Sequence, residues 1–347
     1  MKRIKALLNK FSQYKIDAFL IESQSNKFYL TGKEFEGFVL ISFQGVYIIS
    51  DARFSEELLS QKKFGVIITP FYFKELRKLI KKLKISHLGF EEKILAFKGY
   101  EILKECVKRM VPLQNILEEM RMIKDKEEIE TIRESIRIIS KCLEFIQEII
   151  SPGKTEKELA SQLIRFMLLM GASNYSFFPI VLSGKNTSLP HGRPGNKKIL
   201  LNEPILIDIG AKFRGYCSDL TRIFYLGRIP LIFKENFKLV KEAQDIAFKM
   251  IKPGMKISSI EKRVRDFFKK YRKNKFFLHS LGHGIGIDVH EHPFISQYND
   301  LELREGMVFT IEPALYFAGK FGIRIEDIVL VNKRGVQVLS DYIHKSI

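Results

Sequence analysis

Long apolar runs are missing from this chain of 347 residues: nothing approaches the roughly 18 consecutive apolar positions that would span a bilayer. No membrane helix is expected, and with 46% hydrophobic and 28% charged residues the composition is that of a soluble globular protein. Cysteine is scarce. Cys106, Cys142 and Cys217 are odd in number, widely spaced and without a CxxC arrangement, which excludes a disulfide framework and fits a reducing compartment. The N-terminus MKRIKALLNKFSQYKIDAF opens with positive charge, but Asn9, Lys10, Gln13 and Lys15 interrupt any signal-peptide core and leave an amphipathic helix pattern. A cytoplasmic location is therefore expected.

Acidic side chains are the minority charge, 40 against 58 Lys and Arg, for a net +18 that raises a nucleic-acid reading. Distribution argues against it. The first 120 residues hold 21 basic and 14 acidic side chains, and the remainder is no more concentrated, so neither part is a basic module. The densest clusters, KELRKLIKKLK at 74–84 and KKYRKN at 269–274, are interleaved with apolar residues at helical spacing and read as solvated helix faces. No nucleic-acid partner and no membrane partner are expected.

The length fits two domains. Residues 1–120 alternate strand and helix patterns: IDAFLI, GFVLIS and GVYIIS joined by a Phe43-Gln44-Gly45 turn, VIITP, a helix over about 71–84, and HLGFE. This predicts a smaller N-terminal α/β domain. From 121 to 347 a second domain is expected, opening with some 25 residues of helical periodicity that end at Ser151-Pro152-Gly153. A Pro-Gly step between helical patterns occurs at 152–153 and again at 253–254, which suggests a domain of two similar halves.

The chemistry-bearing residues fall in that second region. Histidine is sparse, seven in all, yet His283, His290 and His292 crowd into GHGIGIDVHEHPF at 282–294. In PILIDIGAKFRGYCSDLTRIFYLG (204–227), a hairpin closing around Phe213 and Arg214 places Asp208 opposite Asp219. In MVFTIEPALYFAGKFGIRIEDIVLV (307–331), a turn on Gly319 places Glu312 opposite Glu326, with Arg324 on the same face. Facing carboxylates oppose each other on a sheet, and burying them costs several kcal/mol more unless a cation neutralises them. One acid alone would read as a solvated strand residue or a partner for a lysine. Two pairs in register, both flanked by apolar strands, imply metal. Four carboxylates with imidazole suit divalent Mn, Co, Fe or Zn, and shared carboxylates could hold two ions roughly 3.5 to 4 Å apart. The histidine ribbon would supply the nitrogen ligand, its glycines permitting close backbone approach. His283 and His290, seven apart, need a bulge or loop to meet.

LPHGRP at 189–194, IDIGAKFRGYCSDLTR at 207–222, HSLGHGIGIDVHE at 279–291, TIEP at 310–313 and GIRIED at 322–327 together resemble the "pita-bread" metallopeptidases, among them methionine aminopeptidase, aminopeptidase P and Xaa-Pro dipeptidase (prolidase). The resemblance implies an α+β fold: a catalytic domain of two related αβ halves around two divalent metals, Mn first with Co, Zn or Fe as alternatives. It implies the metal ligands Asp208, Asp219, His283, Glu312 and Glu326, with Asp219 and Glu326 bridging. It also implies roles in catalysis for Glu312 as proton shuttle, His290 at the scissile carbonyl, His191 and His279 beside it, and Arg324 against a ligand carboxylate such as Asp208. A creatinase-like N-terminal domain at 1–120, which restricts substrate and makes oligomer contacts, resembles the proline-specific branch. The implied activity is hydrolysis of the Xaa-Pro bond in proline-containing peptides by a homodimer or higher homo-oligomer. In many prolidase-like members an arginine follows the HExP motif; here HEHP is followed by Phe294, so that carboxylate anchor is absent. A methionine aminopeptidase-like enzyme and a non-catalytic peptide- or nucleic-acid-binding relative are the alternatives.

Overall fold

The computed structural model describes residues 1–344, which form two compact units, one spanning Met1–Met120 and one beginning at Arg121. The first is a six-stranded mixed sheet of β1 (Ala18–Ile21), β2 (Phe38–Ser42), β3 (Gly45–Ser50), β4 (Gly65–Ile68), β5 (His87–Glu91) and β6 (Arg109–Leu113), in the order β4-β3-β2-β1-β5-β6. β1 and β2 are buried at every position, so they read as continuous apolar runs rather than alternations. The β2–β3 hairpin turns through Phe43 and Gln44, with Ser42 paired to Gly45. Helix α1 (Tyr72–Lys82) buries Leu76, Leu79 and Ile80 against the sheet core and leaves its lysines to solvent, as its interleaved pattern requires.

The second unit repeats a helix-pair-and-sheet theme. Its first half has α2 (Lys126–Ile149), α3 (Glu156–Leu169) and a three-stranded antiparallel sheet of β7 (Ile180–Ser183), β8 (Pro204–Ile209) and β9 (Leu220–Tyr225), ordered β9-β8-β7. The second half has α4 (Leu231–Met250), α5 (Ile257–Lys270) and a five-stranded sheet, ordered β11-β10-β12-β15-β16. Those strands are β10 (Gly282–Gly284), β11 (Glu291–Ile295), β12 (Val308–Ile311), β15 (Asp327–Asn332) and β16 (Gly335–Val338), with the hairpin β13 (Ala314–Phe317) and β14 (Phe321–Arg324) between them in sequence. The Pro-Gly echo recurs in detail. Gly153 (φ 93°) and Gly254 (φ 81°) both lie between paired helices, and their N–H groups donate to Ile199 O at 2.9 Å and Leu303 O at 2.8 Å. The chain is thus an α/β N-terminal domain and a pita-bread domain of two related αβ halves.

Helix α2 starts later than its periodicity predicts, at Lys126 rather than near 121. Asp125 accepts from Glu128 N at 2.9 Å while Glu128 accepts from Asp125 N at 2.8 Å, a reciprocal cap that fixes the first turn. Its buried stripe, Ile132, Ile136, Ile139, Leu143 and Ile146, follows helical spacing. Among the described residues no helix is long and apolar enough to cross a membrane, and Cys106, Cys142 and Cys217 are free thiols.

Candidate metal centre

Asp208 sits on β8, an all-buried strand whose isoleucines hold it in place. Its partner across the ladder is Thr221, not Asp219: the hairpin is closed by Arg214 and Gly215, both at positive φ (46° and 83°), and the register lies two residues from the one centred on Phe213-Arg214. Two-residue turns of this kind match the strand twist. A shift of two keeps every side chain on its face. Asp219 therefore still points toward Asp208, from a two-residue break in the strand at Ser218-Asp219. Ser218 makes that break: its Oγ accepts from Ala211 N at 3.1 Å and from Ser135 Oγ at 2.8 Å. A Cβ on Gly210 would lie 2.1 Å from Ser218 O, so glycine is required there.

In the other half, β12 pairs with β15 and β13 with β14 in one common register, Ile311 opposite Asp327 and Ala314 opposite Arg324. Glu312 and Glu326 fall opposite one another between the two ladders, freed from strand geometry to project into the cleft. The glycine ribbon enters beside them. Gly282 lies so close to the neighbouring strand that a Cβ would sit 1.9 Å from Thr310 O, and one on Gly284 would sit 2.3 Å from His292 O. The register shift between His283 and Gly284, with the loop that follows, brings the His283 and His290 rings to 4.1 Å.

The nine side chains singled out from the sequence, His191, Asp208, Asp219, His279, His283, His290, Glu312, Arg324 and Glu326, line one cleft of about 390 Å³, joined by the apolar Phe177, Ile180 and Phe294. His283 Nδ1 faces the Gly284 carbonyl at 3.2 Å, which leaves Nε2 toward Asp219 Oδ2 and Glu312 Oε1, each at 3.6 Å. His279 Nδ1 lies 3.9 Å from the other Glu312 oxygen. His290 and His191 are exposed on the cleft wall. His292 packs edge-on against Phe294 at 5.2 Å and is not among the residues that line the cleft.

Electrostatics define the site. Of the four carboxylates only Asp208 has an ion-pair partner of fixed positive charge among the described residues, the buried Arg324 guanidinium; Asp219 and Glu312 face imidazoles. Burial and then the charges of Glu326 and Asp208 hold the Asp219 carboxyl well above its ordinary range; burial and then Glu312 do the same to Glu326. Glu312 is pushed up to about 8, chiefly by burial, with Arg324 opposing. Burial lowers His283 to about 3 and His279 to about 4, so both imidazoles are neutral at pH 7. Asp208 Oδ1, Asp219 Oδ1 and Glu326 Oε1 are buried with no hydrogen-bond partner. Oxygens of that kind are costly unless a cation takes them. Three sets of donor atoms lie within 4.8 Å of one another: Asp219, His283 and His290; His283, Glu312 and Glu326; Asp208, Asp219 and Glu326. The donors therefore fit divalent cations, and Asp219 and Glu326 each belong to two sets.

Sequence reasoning did not single out Thr221 or Tyr316. Thr221 Oγ1 accepts from Arg324 Nε at 2.9 Å and donates to Glu326 Oε2 at 2.8 Å, tying the halves together across the site. The Tyr316 hydroxyl accepts from Arg324 Nη1 at 2.7 Å and lies 3.1 Å from His279 Nε2. Thr221 stood in the quoted LTR stretch, but a hydroxyl carries no charge-pairing signal in sequence. Tyr316 shares strand parity with Glu312 and Arg324, a signal that could have found it.

Two αβ halves closing on an acid-and-imidazole cleft define a metal-dependent hydrolase of the pita-bread class. The profile of metallopeptidase family M24 matches residues 130–333, that of the creatinase/prolidase N-terminal domain matches 3–123, and the chain belongs to family M24. It is 33% identical to the Xaa-Pro dipeptidase of Pyrococcus furiosus over 98% of this chain and 97% of that one. Its fold superposes on the Xaa-Pro dipeptidase from Bacillus anthracis with a TM-score of 0.94, at 33% identity over 98% of this chain and 97% of that chain. An X-Pro aminopeptidase from Thermotoga maritima gives 0.90 at 33% identity, over 99% of this chain and 100% of that one.

Proposed function

We propose that the protein hydrolyses the bond before proline in Xaa-Pro peptides, with two divalent cations held by Asp208, Asp219, His283, Glu312 and Glu326. The observation that carries this reading is the set of three buried, unpartnered carboxylate oxygens on residues that line, together with neutral His283, one cleft with apolar residues in its wall. Likeness to relatives named for cleavage at Xaa-Pro supports it. When bound, such ions polarise the scissile carbonyl and lower the pKa of the attacking water. Manganese suits a donor set of four carboxylates and one imidazole.

The remaining steps belong to the chain. Glu312, which lies in the cleft between His279 and His283, takes a proton from the water and returns it to the leaving proline nitrogen. That nitrogen has no N–H and cannot depart unprotonated. Exposed His290 donates to the oxygen of the developing tetrahedral centre, with His191 across the cleft and His279 behind Glu312. Arg324 holds Asp208 and, through Thr221, orients Glu326. Phe177, Ile180 and Phe294 offer the pyrrolidine ring an apolar seat. Phe294 brings no cation to a dipeptide's carboxylate, which favours acceptance of longer peptides. The N-terminal unit restricts the substrate and contributes to a homo-oligomer in the cytoplasm; the three free cysteines fit that compartment.

The test is hydrolysis of Xaa-Pro dipeptide, Xaa-Pro tripeptide, Xaa-Ala dipeptide and a methionyl peptide without proline, each with Mn or Co added. Cleavage confined to the Xaa-Pro substrates, the tripeptide included, is expected. Cleavage of the methionyl peptide in preference would replace this reading with a methionine aminopeptidase, and no cleavage and no bound metal would leave a binding protein.

A further inference from the structure

The loop from His283 to His290 carries a buried charge cluster with no part in the chemistry above. Glu291 follows His290 directly as the first residue of β11, its side chain buried while His290 lines the cleft. Its carboxylate is buried, and both oxygens meet cations from the segment that opens the second unit: Arg121 Nη2 on Oε2, and Lys124 Nζ on Oε1 at 2.7 Å. Arg121 Nη2 also reaches Asp288 Oδ2 at 2.6 Å, and Asp288 N donates to Glu291 Oε2 at 3.4 Å. A Cβ on Gly286 would lie 2.5 Å from Glu291 Oε1, so the loop backbone is wrapped onto the carboxylate. Lys124 is itself tied down, its N–H donating to Gly306 O at 2.9 Å. Burial raises the Glu291 carboxyl, but Lys124 and Arg121 outweigh it and the group stays ionised.

Buried ion clusters contribute little to stability, since desolvation offsets attraction, whereas they do impose a fixed geometry. What this one holds is Glu291, the first residue of β11, and with it the preceding His290. We propose that Arg121 and Lys124, acting through Glu291, are positioning residues that clamp the 285–290 loop and hold the His290 imidazole against His283, facing the substrate. The role of His290 toward substrate rests on the functional reading above; its placement by the clamp does not.

The substitution Glu291→Gln alone would strand a buried ammonium, so the test uses Lys124→Met with Glu291→Gln, which keeps the Arg121–Asp288 pair and the charge balance. In the full-length, metal-loaded protein this pair of changes lowers kcat/KM on an Xaa-Pro peptide by about 10- to 100-fold, the range for groups that orient a working residue. In a His290→Ala background it lowers kcat/KM no further. Losses that multiply instead would overturn the proposal, because the clamp would then act elsewhere. Lys124→Arg, which retains the charge, should keep wild-type activity and serves if the double variant does not fold; a loss of about 10- to 100-fold in Lys124→Arg would count against a charge clamp. Independently of any peptidase activity, ¹⁵N-histidine spectra of metal-free protein should show the His290 ring resonance, identified by its disappearance in His290→Ala, displaced in the double variant while His87 stays put. An unmoved His290 resonance would refute the clamp even if hydrolysis at Xaa-Pro is confirmed, and a displaced one would support it even if that activity is absent.

Discussion

At the scale of single residues, the site depends on a hydroxyl that carries no charge. Thr221 Oγ1 hydrogen-bonds both Arg324 and Glu326, and all three residues are buried. Thr221→Val keeps the shape and removes both hydrogen bonds, so a buried guanidinium N–H and a carboxylate oxygen lose their partner. We expect a loss of about 1–3 kcal/mol in chemical denaturation of the metal-free protein, and a metal affinity weaker by about 10- to 100-fold in calorimetric titration. A second residue bears on pH alone. Lys27 is buried in the N-terminal unit, donating to Phe35 O at 2.8 Å and Gly37 O at 2.9 Å, and burial lowers its pKa to about 8 despite Glu22, Glu91 and Glu36. Above pH 8 the folded state gives up this proton while the unfolded lysine keeps it until about 10.4. Stability contributed at Lys27 therefore rises across that window. Wild type should gain in unfolding midpoint relative to Lys27→Met between pH 8 and 10; a constant difference would show that Lys27 titrates normally. The acids and imidazoles of the cleft were legible because charge on an apolar strand is anomalous. Thr221 and Tyr316 were not, because hydroxyls are ordinary on strands and only the packed structure reveals what they touch.

At the scale of elements, strand parity was the legible quantity and register only partly so. The Gly319 turn was placed correctly, and with it Glu312 opposite Glu326, because glycine with φ 70° marks the bend unambiguously. The first hairpin was displaced by two because Arg214 adopts positive φ beside Gly215, a conformation arginine rarely takes and sequence pattern does not announce. The strand breaks at Ser218-Asp219, Glu312-Pro313 and Ile325-Glu326 could not be foreseen either. At the first, Ser218 is held by Ser135 on α2, 83 residues away. The glycine ribbon was legible as close approach. Gly282→Ala should be severe, because the added methyl meets a backbone carbonyl that cannot move without parting β10 from β12. Overpacking of this kind costs about 1–3 kcal/mol or more, and here it also displaces the adjacent His283. Gly171 is the control: its φ of 96° is strained for alanine, but nothing lies within 4 Å. Gly171→Ala should cost about 1 kcal/mol in thermal denaturation and leave metal affinity unchanged, whereas Gly282→Ala should lose both. Equal effects of the two substitutions would show that the ribbon has room to spare.

For the whole molecule, the catalytic unit contains an electrostatic conflict that protons or cations must resolve, and the conflict has a pH signature. Metal-free, the folded protein keeps a proton on Glu312 up to about pH 8, while unfolded glutamate releases it near 4.3. A raised carboxyl pKa contributes stability that is fully present below the unfolded value and is lost as pH rises through the folded one. Below about 6.5 the histidines act in the opposite sense, since His283 and His279, lowered to about 3 and about 4, stay neutral in the fold while the unfolded imidazoles take up protons. From pH 6.5 upward the unfolded imidazoles lose their remaining protons and Lys27 begins to titrate only near 8, so the raised carboxyls dominate the slope up to pH 8. Chelated protein should therefore lose stability from pH 6.5 to 8, and Glu312→Gln should flatten that slope. Excess manganese should reverse it, because metal binding releases the protons held on the ligands and strengthens as they become easier to remove. Differential scanning calorimetry of both forms across this window measures the slope directly. A metal-free midpoint that is flat or rising from pH 6.5 to 8 would mean that these carboxylates are ionised without help, and the requirement for cations would lose its physical basis.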